Sequence, residues 1–312
     1  MSLDSAVDRF AVELAARIRD AVAPALGDHG ARASVGVAPG GDITMAIDET
    51  AEHVVEVSCH EAGDIAFYSE DRGYVEVGRP RAVLIVDPID GTRPAAAGLE
   101  SCCVSVAAAP PSREATLGDV ELGVVHEIKS NKQFVARRGR GVESDVAVRL
   151  SPNVDLRSLF WTAGLRGRPV RPVTVVLEQL IDNSSMRGGF FDLGSATFNM
   201  TRIVTGQLDA YVDVGRWLLD ELPVLEPAFR SVGEGAVCTN FPYDVAASSL
   251  IVQEAGGVVT RPDGSSLADH PAVGSGDGYG VAVLASASVP LHEELVDAVE
   301  KGILRLRNEL KR

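Results

Sequence analysis

Apolar residues recur along the chain with two different periods, which predict an ordered series of helices and strands. Near the amino terminus they return every three or four positions, and this spacing predicts an amphipathic helix capped by Asp4 or Ser5. A second helix is predicted over about 48–59. Short apolar runs then predict five strands, at residues 65–68, 82–86, 102–107, 123–128 and 133–136.

In the second half of the chain, segments with helical periodicity alternate with short apolar runs. Helices are predicted at residues 173–181, 196–204, 245–254 and 291–310, and strands at 210–212, 258–260 and 281–285. The first half is therefore typical of an α+β arrangement and the second of an α/β arrangement. We predict two subdomains, residues 1–150 and 151–312, with a seam near Ser151-Pro152.

Composition and charge narrow the classes of partner. The 312 residues carry a formal net charge of −15, which argues against binding to nucleic acid or to an anionic membrane surface. No apolar run reaches the roughly 18–20 residues that span a bilayer, and the first residues show no signal-peptide pattern. The four cysteines form no CxxC pair and are interpreted as reduced, packed thiols. Together these features predict a cytoplasmic protein.

One segment, Asp87-Pro88-Ile89-Asp90-Gly91-Thr92, suggests chemistry. A buried strand precedes it, Pro88 is expected to end that strand in a turn, and Gly91 permits a tight backbone. Two aspartates held in this way can share hard divalent cations. The helix start that follows would favour an oxyanion. Taken alone, the pattern is better explained as an acidic turn followed by a helix cap.

Further acidic residues stand at the ends of predicted elements. Glu70 and Asp71 follow the strand at 65–68. Asp48 lies at a helix start, and Asp244 opens the helix at 245–254, where an N-cap role is the simplest interpretation. Each of these positions has a structural explanation by itself, so their order and local sequence carry the argument.

Taken in order, these segments resemble the inositol monophosphatase-like, Mg-dependent phosphatase superfamily over nearly the whole chain. The matching segments are Gly41-Asp42-Ile43-Thr44 with Asp48 and Glu52, Ser69-Glu70-Asp71, Asp87-Pro88-Ile89-Asp90-Gly91-Thr92, Gly194-Ser195-Ala196 with Asn199, Gly206 and Asp209-Ala210-Tyr211, and Tyr243-Asp244-Val245-Ala246-Ala247 through Glu254-Ala255-Gly256-Gly257. The resemblance implies a layered α-β-α-β-α sandwich of the inositol monophosphatase and fructose bisphosphatase type. It also implies a homodimer.

The resemblance assigns metal ligands to both halves of the chain. One Mg²⁺ would be bound by Glu70, Asp87 and the Ile89 carbonyl. A second would be bound by Asp87, Asp90 and Asp244, and Glu70 would also help to hold a looser third ion. Mn²⁺ is the alternative metal, since the ligands are all oxygens. Most ligands thus lie in residues 1–150, and residues 151–312 supply Asp244 and substrate contacts.

Roles in catalysis and substrate binding follow from the same resemblance. Thr92 and Asp48 would orient and deprotonate the attacking water, with Glu70 as a further catalytic residue. The Gly91 and Thr92 amides would hold the phosphate. The positions that match contacts to the alcohol part of the substrate are Ser195, Ala196 and Asp213.

The function implied is hydrolysis of a small phosphorylated polyol or sugar, with inositol-1-phosphate as the leading substrate. Fructose-1,6-bisphosphate is the nearest alternative, followed by histidinol phosphate and 3′-phosphoadenosine 5′-phosphate. A relative that binds metal without catalysis and acts as a regulatory protein is the alternative of a different class. The joint presence of all the acidic residues disfavours it, because a degenerate copy would have lost some of them.

Three departures from the family pattern bear on the substrate. Tyr243 replaces the usual tryptophan before Asp244. Arg93 follows Thr92, either as a contact to a phosphate or second anion or as a solvent-exposed helix residue. The apolar stretch 214–240 is longer than usual and is a lid, a dimer element or additional core, of which core is the default.

Overall fold

A computed structural model describes residues 3–312 of the chain. The helices are α1 (Ser5–Val22), α2 (Ala46–Ala62), α3 (Thr92–Ala97), α4 (Val170–Ser184), α5 (Ala196–Val204), α6 (Gly215–Glu221), α7 (Glu226–Val232), α8 (Pro242–Glu254) and α9 (Val289–Glu309). The strands are β1 (Ser34–Val37), β2 (Ile43–Met45), β3 (Ile65–Ser69), β4 (Gly73–Val77), β5 (Val83–Asp90), β6 (Cys103–Ala109), β7 (Leu122–Glu127), β8 (Gln133–Arg137), β9 (Val142–Ser144), β10 (Phe160–Ala163), β11 (Gly189–Phe191), β12 (Ala210–Asp213), β13 (Val258–Thr260) and β14 (Val283–Ser286).

The strands form a large sheet, a small sheet and a separate hairpin. The large sheet has the order β4-β3-β5-β6-β7-β8-β9, and β3 and β5 are its parallel neighbours. The small sheet has the order β11-β10-β12-β14-β13, and β1 pairs with β2. The large sheet draws its strands from before residue 150 and the small sheet from after it. Two subdomains remain a prediction, because helices from the second half pack on the large sheet.

Helices and sheets alternate in five layers, which confirms the predicted α-β-α-β-α sandwich. Helices α1 and α2 cover the outer face of the large sheet, and α5 and α8 lie between the two sheets. Helices α4 and α9 cover the outer face of the small sheet. Each sheet is therefore buried on both faces. One apolar core surrounds α5 and α8 and contacts both sheets, and the other two cores lie on the outer faces of the sheets.

Strand β5 shows why its sequence is apolar without alternation. Val83 and Ile85 face the core that α8 shares with the large sheet, whereas Leu84 and Val86 face the core below α1 and α2. All four side chains are fully buried. A strand covered on both sides needs apolar residues at successive positions, so the continuous run is the signature of a central strand.

The predicted helices and strands are present, and one helix, at 196–204, and one strand, at 258–260, match the prediction to the residue. The predicted end of the strand at Pro88 is wrong. Strand β5 continues to Asp90, and its pairing with β6 is irregular between Asp87 and Asp90. Proline has no N–H to donate to a neighbouring strand, and a bulge accommodates such a residue. Pro88 therefore distorts the pairing of β5 without ending the strand.

The apolar stretch at 214–240 is mostly additional core, which confirms the default interpretation for its larger side chains. It forms α6 and α7 and packs against the core around α4 and α9. The buried side chains are Trp217, Leu218, Leu219, Leu222, Leu225 and Phe229. Val224, by contrast, is 70% exposed.

The cysteines agree with the expectation of reduced thiols. Cys59, Cys102 and Cys103 are buried, Cys238 is partly exposed, and all four are free. Among the helices described between residues 3 and 312, none combines the length and apolarity needed to cross a bilayer.

Gly302 lies on α9 where the helix packs tightly against the backbone of α4. A methyl group at this position would overlap the carbonyl oxygen of Val176. Glycine to alanine in a helix normally stabilises by up to about 1 kcal/mol. Here we expect Gly302→Ala to lower the free energy of unfolding by about 1–3 kcal/mol, because the two helices must separate. Urea unfolding monitored by circular dichroism measures the difference.

A matched control lies two residues earlier on the same helix. Glu300 is exposed, so Glu300→Ala should change stability little. A stabilised Gly302→Ala variant would show that the contact between α4 and α9 is looser than described.

Candidate active site

The end of β5 carries the first two acidic residues of the site. The irregular pairing between Asp87 and Asp90 brings both carboxylates to the same region, although the residues are three apart. Asp87 accepts a hydrogen bond from the Ile89 N–H at 3.0 Å, and Asp90 accepts one from the Thr197 N–H of α5 at 2.5 Å. Both side chains are buried. Backbone donors therefore fix each carboxylate at one oxygen.

Helix α8 supplies the third carboxylate. Asp244 accepts a hydrogen bond from the Phe241 N–H at 2.5 Å, and the Thr197 hydroxyl donates to the Asp244 carbonyl at 2.6 Å. The predicted N-cap role of Asp244 is wrong by three positions, because Phe241 is the N-cap residue. Asp244 is the third helical residue, and this position aims its carboxylate back over the helix start.

The three carboxylates form a compact cluster. One oxygen from each of Asp87, Asp90 and Asp244 lies within 4.8 Å of the others. Burial raises the pKa of all three groups, and that of Asp244 rises to about 8. Neighbouring carboxylates add to the effect at Asp87 and Asp244, whereas the Thr197 N–H opposes it at Asp90. A hard divalent cation would relieve this repulsion, and its preferred ligands are carboxylate oxygens. The donor set therefore fits a divalent metal site.

Glu70 lies beside this cluster, in the turn between β3 and β4. Burial raises its pKa, and the charges of Asp244, Asp42 and Asp48 add to the effect. Its carboxylate is not among the three oxygens that share the 4.8 Å cluster. The structure thus places Glu70 in the electrostatic field of the site, and its role as a ligand stays a prediction.

A buried hydrogen-bond network holds the turn that carries Glu70. Glu52 accepts from the Ser69 hydroxyl at 2.6 Å and from the Asp71 N–H at 2.8 Å. The Thr44 hydroxyl donates to Asp71 at 2.6 Å. These bonds give Glu52 and Thr44, which the motif contains without an assigned role, a clear function in positioning.

Asp48 and Thr92 meet at the start of two helices. Asp48 accepts a hydrogen bond from the Met45 N–H at 2.8 Å, and the Thr92 hydroxyl donates to the Ile89 carbonyl at 3.2 Å. Burial raises the pKa of Asp48 to about 7, while the Met45 N–H and the Thr92 hydroxyl act in the opposite direction. The hydroxyl therefore lies between the Asp48 carboxylate and the Ile89 carbonyl.

Gly91 joins β5 to α3 and requires the absence of a side chain. Its φ is 92°, and a Cβ would overlap the Ser101 carbonyl oxygen. The same Cβ would also crowd Ser195, the N-cap residue of α5, whose hydroxyl accepts from the Phe198 N–H at 3.0 Å. The predicted phosphate contacts Gly91 and Thr92 thus lie next to the predicted substrate contact Ser195.

Asp213 does not have the environment expected of a substrate contact. It is fully buried and forms an ion pair with Arg168. Its carboxylate also accepts from the Asn240 amide at 3.0 Å and from the Gly215 N–H at 2.8 Å. With its oxygens occupied in this way, Asp213 holds Arg168 in place, and its contact with a substrate stays a prediction.

A small polar cavity lies between the cluster and these residues. Its volume is about 50 Å³, and Asp90, Asp244, Ser195 and Ala196 form part of its wall. Asn199, which the motif contains without an assigned role, is a further wall residue, whereas the sequence analysis missed Arg166, Arg168 and Asn240. The spacing of these residues forms no motif, so only their family position or the fold itself could identify them.

Arg93 contacts an acidic residue of the β1–β2 hairpin. Its guanidinium lies 3.4 Å from the Asp42 carboxylate, which also pairs with Arg166 at 2.7 Å. Although burial opposes the effect, the Arg166 and Arg93 guanidiniums hold the pKa of Asp42 below its usual value. Arg93 is therefore neither free in solvent nor in contact with the carboxylate cluster.

The fold and this cluster define a layered α/β protein whose three carboxylates could hold a metal ion. The family model described as the inositol monophosphatase family matches residues 3–303, and the chain belongs to that family. The family is metal-dependent, and the names of the family and of its members indicate a phosphoric monoester hydrolase activity.

Individual relatives agree with this membership. Fructose-1,6-bisphosphatase/inositol-1-monophosphatase of Methanothermobacter thermautotrophicus is 26% identical over 302 residues, which are 93% of this chain and 95% of that protein. Nus factor SuhB of Pasteurella multocida is 27% identical over 220 residues, 70% of this chain and 71% of that protein. The crystal structure of extragenic suppressor protein suhB from Bartonella henselae has a TM-score of 0.72 at 21% identity, covers 96% of this chain and 100% of that one, and shows the same fold.

The raised pKa values predict how the metal-free protein responds to pH. In the unfolded chain these carboxyls titrate near pH 4, whereas in the folded chain Asp48 and Asp244 titrate at about 7 and about 8. The unfolded state therefore releases its protons first, and the free energy of unfolding should fall as the pH rises between about 4 and 8.

Calorimetry with a chelator and with Mg²⁺ tests this expectation. We expect Mg²⁺ to raise Tm more at pH 8 than at pH 5, because the ion binds the ionised carboxylates and removes their repulsion. An equal effect of Mg²⁺ at the two pH values would contradict the description of the cluster.

Proposed function

We propose that the protein is a Mg²⁺-dependent phosphomonoesterase that hydrolyses a small phosphorylated polyol or sugar. The observation that carries the proposal is the cluster of Asp87, Asp90 and Asp244 carboxylates within 4.8 Å of one another, in a chain of this family. Asp87 and Asp90 are buried and Asp244 is half-buried. Carboxylates of like charge in such surroundings destabilise a fold unless a cation compensates them, so the arrangement favours a functional metal site.

The proposed ligand sets follow the sequence motif. Glu70, Asp87 and the Ile89 carbonyl would hold one ion, and Asp87, Asp90 and Asp244 a second, with Glu70 helping to hold a third. Oxygen ligands favour Mg²⁺, with Mn²⁺ as the alternative. When bound, such ions supply positive charge to the phosphate and to its attacking and leaving oxygens.

The residues of the chain would orient the reactants. The Thr92 hydroxyl and the Asp48 carboxylate together hold the attacking water, and Asp48 accepts its proton. A carboxyl group whose pKa burial raises to about 7 is suited to accept a proton near neutral pH. Glu70 would be a further catalytic residue, and the Gly91 and Thr92 amides would hold the phosphate.

The candidate phosphatase activities differ in the substrate that is hydrolysed. Inositol-1-phosphate is the substrate favoured by the family motif, with Ser195 and Ala196 against its alcohol part. Fructose-1,6-bisphosphate is the second candidate, and a relative with 26% identity carries both names. The arginines at the cavity favour a substrate with an additional negative charge. The protein is proposed to be a cytoplasmic homodimer that binds neither nucleic acid nor membranes.

A relative named Nus factor SuhB gives the regulatory alternative some weight. The presence of Asp48, Glu70, Asp87, Asp90 and Asp244 together favours an enzyme. Phosphate release from inositol-1-phosphate, fructose-1,6-bisphosphate, histidinol phosphate and 3′-phosphoadenosine 5′-phosphate decides between the two functions. We expect turnover with Mg²⁺ and weak turnover with Ca²⁺, since Ca²⁺ coordination is looser. No turnover of any substrate with Mg²⁺, or strong stimulation by Zn²⁺ alone, would contradict the proposal.

Asp90→Asn tests the cluster directly. Asparagine keeps the shape and can still accept the Thr197 N–H, so the fold should persist, whereas a metal ligand is lost. We expect turnover to fall by several orders of magnitude. The Tm of the metal-stripped variant should rise above that of the stripped wild type, because one repelling charge is removed.

The control for this variant is Asp182→Asn, on the exposed face of α4. It makes the same chemical change far from the cluster and should alter neither turnover nor Tm appreciably. Activity retained in Asp90→Asn would count against the assignment of the site.

A further inference from the structure

Two arginines share a single carboxylate at the edge of the carboxylate cluster. Asp42 lies 2.7 Å from Arg166 and 3.4 Å from Arg93. The side chains of Arg166 and Arg93 are 45% and 39% exposed, so both can reach a ligand. Two guanidinium groups against one carboxylate leave a surplus of one positive charge at this point.

Arg166 is also close to the predicted metal ligands. The charges of Glu70, Asp244 and Asp42 all stabilise its guanidinium, and Arg166 in turn stabilises the ionised form of Asp90. Divalent ions at the cluster would neutralise those carboxylates and leave Arg166 with only Asp42, which it shares with Arg93. A cation in this position is then available to an anionic ligand.

The cavity connects this surplus charge to the reaction centre. Asp90 and Asp244 form one part of its wall, and Arg166 forms another. A phosphate monoester whose phosphate is held beside the carboxylates would therefore place its alcohol part against Arg166. Asn199 lines the same cavity, is 2% exposed, and among the described residues its side-chain oxygen has no hydrogen-bond partner. Because this oxygen can only accept a hydrogen bond, it is expected to meet a hydroxyl of the ligand or a water, and the binding of an anion depends on the arginine.

The opposite wall does not favour a neutral polyol. The carboxylate expected to accept substrate hydroxyls, that of Asp213, does not line the cavity, because it is fully buried and paired with Arg168, which does. The remaining acidic side chain of the wall, Asp192, lies at the exposed rim and accepts from the Gly194 N–H at 3.2 Å. At this wall, cationic groups therefore take the place of a carboxylate that could accept hydrogen bonds from substrate hydroxyls.

We propose that Arg166, assisted by Arg93, forms a subsite for a second anionic group of the substrate. The preferred substrate is then a phosphate monoester whose alcohol part carries a phosphate or a carboxylate. This inference rests on the proposed phosphatase function and specifies its substrate class. A guanidinium is suited to the role, because its planar donors match both anions in a bidentate geometry.

Matched substrate pairs test the subsite. Fructose 1-phosphate and fructose-1,6-bisphosphate differ by one phosphate, and glycerol 2-phosphate and 2-phosphoglycerate differ by one carboxylate. We expect the wild type with Mg²⁺ to prefer the anionic member of each pair by about tenfold or more in kcat/KM, which is the worth of one charge-assisted hydrogen bond. The preference should appear mainly in KM.

Three variants locate the effect. Arg166→Gln should reduce the preference about tenfold, and Arg166→Lys should restore part of it, because the charge returns without the bidentate geometry. Arg230→Gln is the control. The side chain of Arg230 is 44% exposed and lies 2.8 Å from Glu226, much like Arg166 and Asp42, so this variant should keep the wild-type preference.

A binding measurement separates this inference from the proposed function. In Ca²⁺, fructose-1,6-bisphosphate should raise the Tm of the wild type more than fructose 1-phosphate does, and Arg166→Gln should lose that difference. If no substrate is hydrolysed with Mg²⁺, the phosphatase proposal fails, while the Tm comparison still decides whether the subsite exists. If both members of each pair are hydrolysed and bound equally by wild type and Arg166→Gln, the subsite is overturned and the phosphatase stands.

Discussion

The repulsion between buried carboxylates is the constraint around which the centre of the molecule is built. Asp87, Asp90 and Asp244 are packed within a few ångströms of one another, and Glu70 lies in the same field. Burial alone would favour their neutral forms. The fold keeps them ready to ionise by giving each aspartate one backbone N–H donor, which leaves the remaining oxygens for a cation.

Helix starts supply much of this support. Asp48 and Asp244 are each the third residue of a helix and accept from the N–H three positions earlier, and Asp90 accepts from the second residue of α5. The amino-terminal ends of α2, α5 and α8 therefore meet at the cluster. Because the positive end of a helix dipole favours negative charge, this convergence offsets part of the repulsion before any ion binds.

The metal side of the site could be predicted from the sequence because its residues belong to local elements. A strand end, a turn and a helix start are each encoded within about ten residues, and the periodicity of the chain locates the layers that bring them together. The distortion at Pro88 escaped prediction for a physical reason. Whether a proline ends a strand or forms a bulge depends on the pairing of β6, which lies outside the local sequence.

The substrate side could not be predicted in the same way, because its character depends on ion pairs between distant segments. The sequence gives no sign that Arg168 reaches Asp213, or that Arg166 and Arg93 meet at Asp42. Yet these pairings decide whether an acidic residue at the cavity is a free acceptor or a fixed counter-ion. A motif can therefore identify the reacting centre, whereas the preferred alcohol depends on which charges the fold has already paired.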